Sequence, residues 1–383
     1  MNPFEFATAQ RIVFGRGQLK SLGTLTPELG SRVLIVSGRS RRFADPLQSL
    51  LSDQNLETHG LSVDQEPTID LVRSGVRQVR IHHATSVVSI GGGSAIDAGK
   101  AIAALAANPG DPLDYLEVIG KGSPLQQPPL PFVAIPTTAG TGAEVTKNAV
   151  LASPENRVKV SLRAPSMLPR LAIVDPALTD TLPRAITASS GIDALTQLIE
   201  AFLSRKATPL TDALCLQAIP RAARALTALS HSLENPAARD DLAYSALSSG
   251  LALANAGLGA VHGLAGPLGG MFHAPHGALC AHLLPIVLEH NHRLLKASGS
   301  SRIERFNELG PLLTGDAGSG SAAAIDFTHS LNRSFGVASL SSHGVRASDI
   351  PLIVEKGSRA SSMKGNPVPL TEPALKDILE AAL

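Results

Sequence analysis

Between Arg32 and about Asp175 the chain alternates short runs rich in β-branched residues with longer stretches of helical periodicity. The runs are RVLIVSG from Arg32, SVVSIGG from Ser86, PFVAIPTT from Pro131 and LAIVDP from Leu171. Each is apolar throughout, the pattern of a strand covered on both faces, and strands separated by helices predict parallel βαβ units. Open sheets of this kind take ligands beyond the carboxyl ends of their strands, which directs attention to the residues just after each run. The opening FATAQRIVFGRGQLKSLG reads as two short strands around a turn leading into a helix. From Ile186 onward the texture becomes Ala and Leu at helical spacing, with only short ambiguous runs such as LPIVLEH. Pro176 and Pro183 punctuate the change. The pattern predicts an α/β, Rossmann-like parallel-sheet domain over residues 1–180 and an all-α helical domain over 181–383.

Composition narrows the function classes. Lys and Arg number 33 against 32 Asp and Glu, so no net field recruits nucleic acid or an anionic membrane. Aromatic residues make up 3% of the chain and Trp is absent, which disfavours stacking platforms. Two cysteines, Cys215 and Cys280, cannot build a disulfide scaffold or a four-thiolate site and favour a reducing compartment. The N-terminal stretch lacks the basic start and apolar core of a secretory signal, and no uninterrupted apolar run is long enough to span a membrane. The expectation is a cytoplasmic globular protein with a small-molecule partner.

Three constellations carry chemistry. In SVVSIGGGSAIDAGK an apolar run meets three glycines, with Ser94 at a plausible N-cap of the next helix. Glycines admit close backbone approach and the free amides of a helix start favour phosphate, although a bare strand-to-helix turn would look the same. In IPTTAGTGAEVTKN, again after a strand, Thr137, Thr138 and Thr141 add hydroxyls beside Gly140 and Gly142. Two such loops after neighbouring strands point to a nucleotide site. In the helical half, Asp193 and Gln197 share one helix face, the spacing that lets two oxygens serve one metal, although Asp near a helix start also serves as a cap. Six of the twelve histidines fall between His262 and His292, and His262, His273 and His276 lie among glycines and prolines. One Asp with several His suits Zn or Fe(II). His282 reads as a core histidine, His290 and His292 as a solvated helix end, and Cys280 as buried packing.

Taken together, GGGSAIDAGK, PTTAGTGAEVTKNAVL, RVKVSLRAPSMLPRLAIVDPAL, GIDALTQLIEAFLSRKATPLTDAL and VHGLAGPLGGMFHAPHG resemble the iron-containing, group III alcohol dehydrogenase family in the right order over almost the whole chain. The resemblance implies a dehydroquinate synthase-like fold, a nicotinamide cofactor in a cleft, a catalytic divalent metal, and a homodimer. Carried over, the pyrophosphate loop falls on Gly91, Gly92, Gly93, Ser94 and Asp97, a second cofactor loop on Thr137, Thr138 and Thr141, and a cofactor lysine on Lys159. The metal ligands fall on Asp193, Gln197, His262 and His276. Two departures stand out. Gln197 replaces the family's usual histidine, an amide oxygen being a weaker partner for Fe(II) or Zn. Gly266 replaces a histidine credited with a relay or substrate role, for which His273 is the substitute candidate.

Cofactor choice follows from charge. Gly38 stands where relatives that prefer NAD tend to carry an Asp for the adenosine ribose, and Arg39, Arg41 and Arg42 follow it. Room and positive charge favour NADP over NAD, whereas Glu66 in a second cofactor-type loop opposes it. The expected reaction is metal-assisted hydride transfer between NAD(P)(H) and a small alcohol or its aldehyde or ketone, with His262, His273 and His276 at the reacting centre. The rivals are a metal-independent, maleylacetate reductase-like keto acid reductase, a dehydroquinate synthase-like lyase, and a nucleotide-binding module without catalysis.

Overall fold

The apolar runs become the strands of a six-stranded parallel sheet. In chain order these are β1 (Arg11–Phe14), β2 (Arg32–Gly38), β3 (Glu57–Val63), β4 (Ser86–Gly91) and β5 (Phe132–Pro136), then, after a separate antiparallel hairpin of β6 (Asn148–Ser153) and β7 (Val158–Arg163), β8 (Leu171–Val174). The spatial order is β1-β8-β5-β4-β2-β3, and neighbours run parallel. The coordinates, a computed structural model, describe residues 3–25, 29–156, 158–272 and 274–383. The chain divides into two compact units, Thr8–Thr179 and a helical unit of Asp180–Leu383 together with Met1–Ala7.

Continuous apolarity in the strands has a direct cause. Leu34, Val36, Val87 and Ala134 enter one core layer while Val33, Ile35, Val88, Ile90, Val133 and Ile135 enter the other, so successive residues of one strand are buried on opposite faces. Each such Val or Ile contributes on the order of 1.5–3 kcal/mol of burial. Helices α1 (Ala44–Ser52), α2 (Ile69–Ile81) and α3 (Gly93–Ala106) belong to this unit. The Thr68 hydroxyl caps α2 by accepting from the Leu71 amide. Register aligns Ser37 with Ile90 and Gly91 with Pro136, so Gly38, the three glycines and the threonine loop emerge side by side at the carboxyl ends of β2, β4 and β5.

The helical unit is organised around α4 (Arg184–Leu203), against which α5 (Pro209–His231), α6 (Pro236–Ala256) and α8 (His276–Ala297) pack, with α7 (Ala260–Phe272) leading into α8. From Gly191 to Leu203 every residue of α4 is buried, Asp193, Gln197 and Glu200 among them. Buried polar groups in a helix need partners, which marks α4 as more than packing.

Several expectations are corrected here. The opening segment holds one strand, β1, followed by short helices rather than two strands around a turn. LPIVLEH lies inside α8. The strand β3 and the β6–β7 hairpin have no counterpart in the apolar runs. ETHGLSV in β3 mixes polar and apolar residues because it is an edge strand with partial exposure. Among the described residues no single helix is long and apolar enough to cross a membrane, and one pair bent by 100° passes the same test only when combined.

Candidate active site

In the α/β unit two of the three glycines, Gly91 and Gly93, are required by close approach. A Cβ on Gly91 would lie 2.7 Å from the Ala95 Cβ and 3.2 Å from the Gly38 nitrogen, and one on Gly93 would lie 2.8 Å from the Thr141 side chain. Thr137 donates its amide to the Gly91 carbonyl at 2.9 Å. The two loops therefore form one backbone-lined surface. Gly92, not Ser94, is the N-cap of α3, and no side chain caps that end. Ser94 sits in the first turn. The leading amides of a 14-residue helix are thus left for an external acceptor, the arrangement that suits a pyrophosphate.

Below this surface lies a charged cluster of buried Lys100 and Glu144 with half-buried Asp97. Lys100, 1% exposed, donates from Nζ to the carbonyls of Ala143 (2.6 Å), Thr146 (2.8 Å) and Asn148 (2.9 Å), tying down the threonine loop. Asp97 accepts from the Val150 amide at 3.1 Å. Burial raises Asp97 to about 6 against the pull of Lys100, raises Glu144 to about 7, and lowers Lys100 to about 8. Lys159 pairs with Glu66 at 2.9 Å, so the two residues assigned to cofactor contact by resemblance neutralise one another. A Cβ on Gly38 would meet open space. Arg41 is bound to Asp45 at 2.9 Å and Arg42 lies over the Phe43 ring at 4.8 Å, whereas Arg39 has no hydrogen-bond or ion-pair partner among the described residues. A cavity lined by Gln10, Lys100, Ala103, Pro128–Phe132, Ser166–Leu168 and Arg170 lies toward the amino-terminal ends of β5 and β8.

In the helical unit, Asp193 from α4, His262 from α7 and His276 at the start of α8 converge, and Cys280 joins them, one ligand-type atom of each lying within 4.8 Å of the others. The approach depends on Gly277, where a Cβ would fall 2.2 Å from the Ser189 carbonyl oxygen of α4. His262 Nε2 lies 3.2 Å from Asp193 Oδ1, yet that oxygen is buried with no hydrogen bond. A buried carboxylate oxygen without a donor, facing imidazole nitrogens, fits a cation, and the Asp/His donor set suits a borderline divalent metal. Burial works to raise the Asp193 carboxyl, but His262 and His276 hold it below the usual range. Burial likewise pushes the Cys280 thiol up to about 12.

Glu200, which the sequence reading passed over, is 6% exposed and binds both the Val261 amide (Oε1, 2.7 Å) and His262 Nδ1 (Oε2, 2.6 Å). It fixes the imidazole so that Nε2 faces Asp193. The signal was present: Asp193, Gln197 and Glu200 follow at intervals of four and three on one helix. Gln197 adjoins Asp193 on α4 and is buried with it. Its Nε2 donates to Asp193 Oδ2 at 3.1 Å and its Oε1 accepts from the Ser249 hydroxyl at 2.7 Å. His273 lies outside the described residues. His282 bonds the Ala382 carbonyl at 2.8 Å as a core histidine. His290, read as solvated, is instead buried and bonds the Ile286 carbonyl at 3.0 Å, and His292 bonds Ser321 at 3.0 Å.

A glycine-lined helix start on a parallel sheet and a buried Asp/His cluster in a helical unit are the features of an oxidoreductase, the class to which the comparisons assign the chain. Family models for iron-containing alcohol dehydrogenase and for the C-terminal region of that family match residues 9–176 and 187–383. The chain belongs to the iron-containing alcohol dehydrogenase family, as an oxidoreductase acting on CH–OH groups of small molecules. It is 36% identical to 1,3-propanediol dehydrogenase of Klebsiella pneumoniae over 95% of both chains. Lactaldehyde reductase of Escherichia coli K12 is 34% identical over 96% of this chain and 95% of that one, and NAD-dependent methanol dehydrogenase of Bacillus methanolicus is 32% identical over 97% of each. A solved 1,3-propanediol oxidoreductase superposes with a TM-score of 0.92 at 32% identity, covering both chains fully.

Proposed function

We propose that the protein interconverts a small primary or secondary alcohol and its aldehyde or ketone using NADP(H) and a divalent metal. The observation that carries this reading is the buried Asp193 Oδ1, left without a hydrogen bond beside His262 Nε2 and His276. When bound, the nicotinamide accepts or supplies a hydride at its C4 and the metal polarises the substrate oxygen, so that alcohol and oxidised cofactor give carbonyl, reduced cofactor and one proton.

The chain's own residues do the rest. The amides at the start of α3, bared by Gly91, Gly92 and Gly93 and backed by Ser94, hold the pyrophosphate, with Thr137, Thr138 and Thr141 alongside. Asp97 and Lys100 act from beneath, fixing β6 and the threonine loop. Asp193, His262 and His276 hold the metal, and Glu200 keeps the His262 tautomer that presents Nε2. Gly38 and the unpaired Arg39 support a 2′-phosphate on the adenosine ribose. We assign the fold to a homodimer by family likeness.

Metal-loaded protein is expected to oxidise NADPH with short aldehydes at higher kcat/KM than NADH. Inactivity with every short alcohol and aldehyde and either cofactor would overturn the reading. Full activity on keto acids after exhaustive chelation would favour a metal-independent reductase instead.

A further inference from the structure

The four-atom cluster in the helical unit contains a donor that neither the spacing of the motif nor the substituted position 197 assigns. Cys280 lies one helical turn after His276 on α8, so both side chains leave the same face. Its Sγ is 3.6 Å from His276 Nε2 and 3.8 Å from His262 Nε2. These separations can be set against ligand geometry. A tetrahedral ion with metal–nitrogen bonds of about 2.05 Å and a metal–sulfur bond of about 2.3 Å places nitrogen and sulfur roughly 3.6 Å apart, and nitrogen and a carboxylate oxygen roughly 3.4 Å apart. The observed His262 Nε2 to Asp193 Oδ1 distance is 3.2 Å. These three separations match the edges of a tetrahedral site, and the four ligand-type atoms, one each from α4 and α7 and two from α8, all lie within 4.8 Å of one another.

Gln197 hydrogen-bonds Ser249 and Asp193. Its carbonyl oxygen accepts from Ser249 and its amide nitrogen donates to the outer oxygen of Asp193, leaving Oδ1, the oxygen that lacks a hydrogen bond, turned toward the histidines. In the observed rotamer the Gln197 amide nitrogen, not its oxygen, faces Asp193, so ligation by Gln197 needs the amide to turn over, whereas Cys280 Sγ already faces both imidazoles.

We propose that Cys280 is the fourth protein ligand of the metal, as a thiolate, and that Gln197 positions Asp193 without touching the ion. The inference deepens the proposed metal-dependent function and rests on it. Its chemical consequence is a change of preference: a soft thiolate among two imidazoles and a carboxylate selects zinc, or cobalt as its spectroscopic substitute, over ferrous iron. On binding, the thiol proton leaves to solvent and the sulfur lone pair forms the bond to the cation, with no change of oxidation state.

Two measurements on the full-length protein read this directly. The Co(II)-loaded protein should show a thiolate-to-cobalt charge-transfer band in the near ultraviolet. Cys280→Ser should abolish the band while Cys215→Ser and Gln197→Ala retain it. X-ray absorption on the zinc-loaded wild type, which needs no variant, should show one sulfur neighbour at about 2.3 Å. Zinc affinity should fall in Cys280→Ser by more than the roughly 10–100-fold that loss of an outer partner costs, and the zinc-over-iron preference should fall with it. Stoichiometric zinc with only nitrogen and oxygen neighbours would overturn the Cys280 assignment while leaving the metal-dependent reading intact. Failure to bind zinc, cobalt or iron at all would overturn both.

Discussion

Glu200 Oε2 lies 2.6 Å from Nδ1 of His262, while the other oxygen of the same carboxylate receives the Val261 amide at 2.7 Å. One side chain thus anchors the first turn of α7 and sets which imidazole nitrogen faces Asp193. Glu200→Gln preserves shape but offers an amide where a carboxylate was. Metal affinity is expected to fall about 10–100-fold with the fold retained, measured by competitive chelator titration alongside circular dichroism.

Lys100 should be among the costliest positions to change away from the reacting centre. Lys100→Met leaves three carbonyls without their donor and the carboxylates of Asp97 and Glu144 without their buried counter-charge. A loss of about 3–5 kcal/mol in denaturant unfolding is expected, together with a raised KM for the cofactor as the threonine loop loosens.

Glu144 gives stability a pH dependence of defined sign. Its carboxyl, normally near 4.5, is raised by burial to about 7 in the folded protein. Between those values the unfolded chain has released a proton that the folded chain still holds, so stability falls as pH rises through the window. The contribution is complete below 4.5, absent above 7, and on the order of 3 kcal/mol. Glu144→Gln should flatten this part of the curve in unfolding experiments across that range. Lys100, lowered to about 8, acts in the opposite direction and only at higher pH.

Gly38→Asp should reverse cofactor preference without disturbing the fold, because the added Cβ meets open space. The new carboxylate repels a 2′-phosphate and accepts from a ribose hydroxyl. The kcat/KM for NADPH should drop roughly tenfold or more, equivalent to about 1.4 kcal/mol, while that for NADH rises. Arg39→Ala should weaken NADPH alone.

Much of this architecture is visible in the sequence, and the gaps have physical reasons. Strands buried on both faces announce themselves, as RVLIVSG and SVVSIGG do, whereas the edge strand ETHGLSV has no such requirement. The glycine run is legible as a ligand loop, but which residue caps α3 depends on backbone dihedrals that no motif states: Gly92 takes φ −73° and ψ −177°, leaving Ser94 inside the helix. Asp193, His262 and His276 can be picked out by residue type. What type alone hides is competition among partners. Ser249 and Asp193 claim both ends of Gln197, and Glu200 and Cys280 gain their meaning only from helices brought against α4. Burial of His290 follows from the same packing.

Gly277 lets α8 approach α4 so closely that a Cβ there would meet the Ser189 carbonyl. An ion held by Asp193, His262 and His276 would therefore cross-link three helices that are remote along the chain, acting as a removable clasp on the helical unit. Ligand linkage then makes metal a thermodynamic component of the fold, worth about 4 kcal/mol at a thousandfold excess over its dissociation constant. Stripping the metal should lower the melting temperature of the helical unit while leaving that of the α/β unit in place, a separation that calorimetry with and without chelator would resolve.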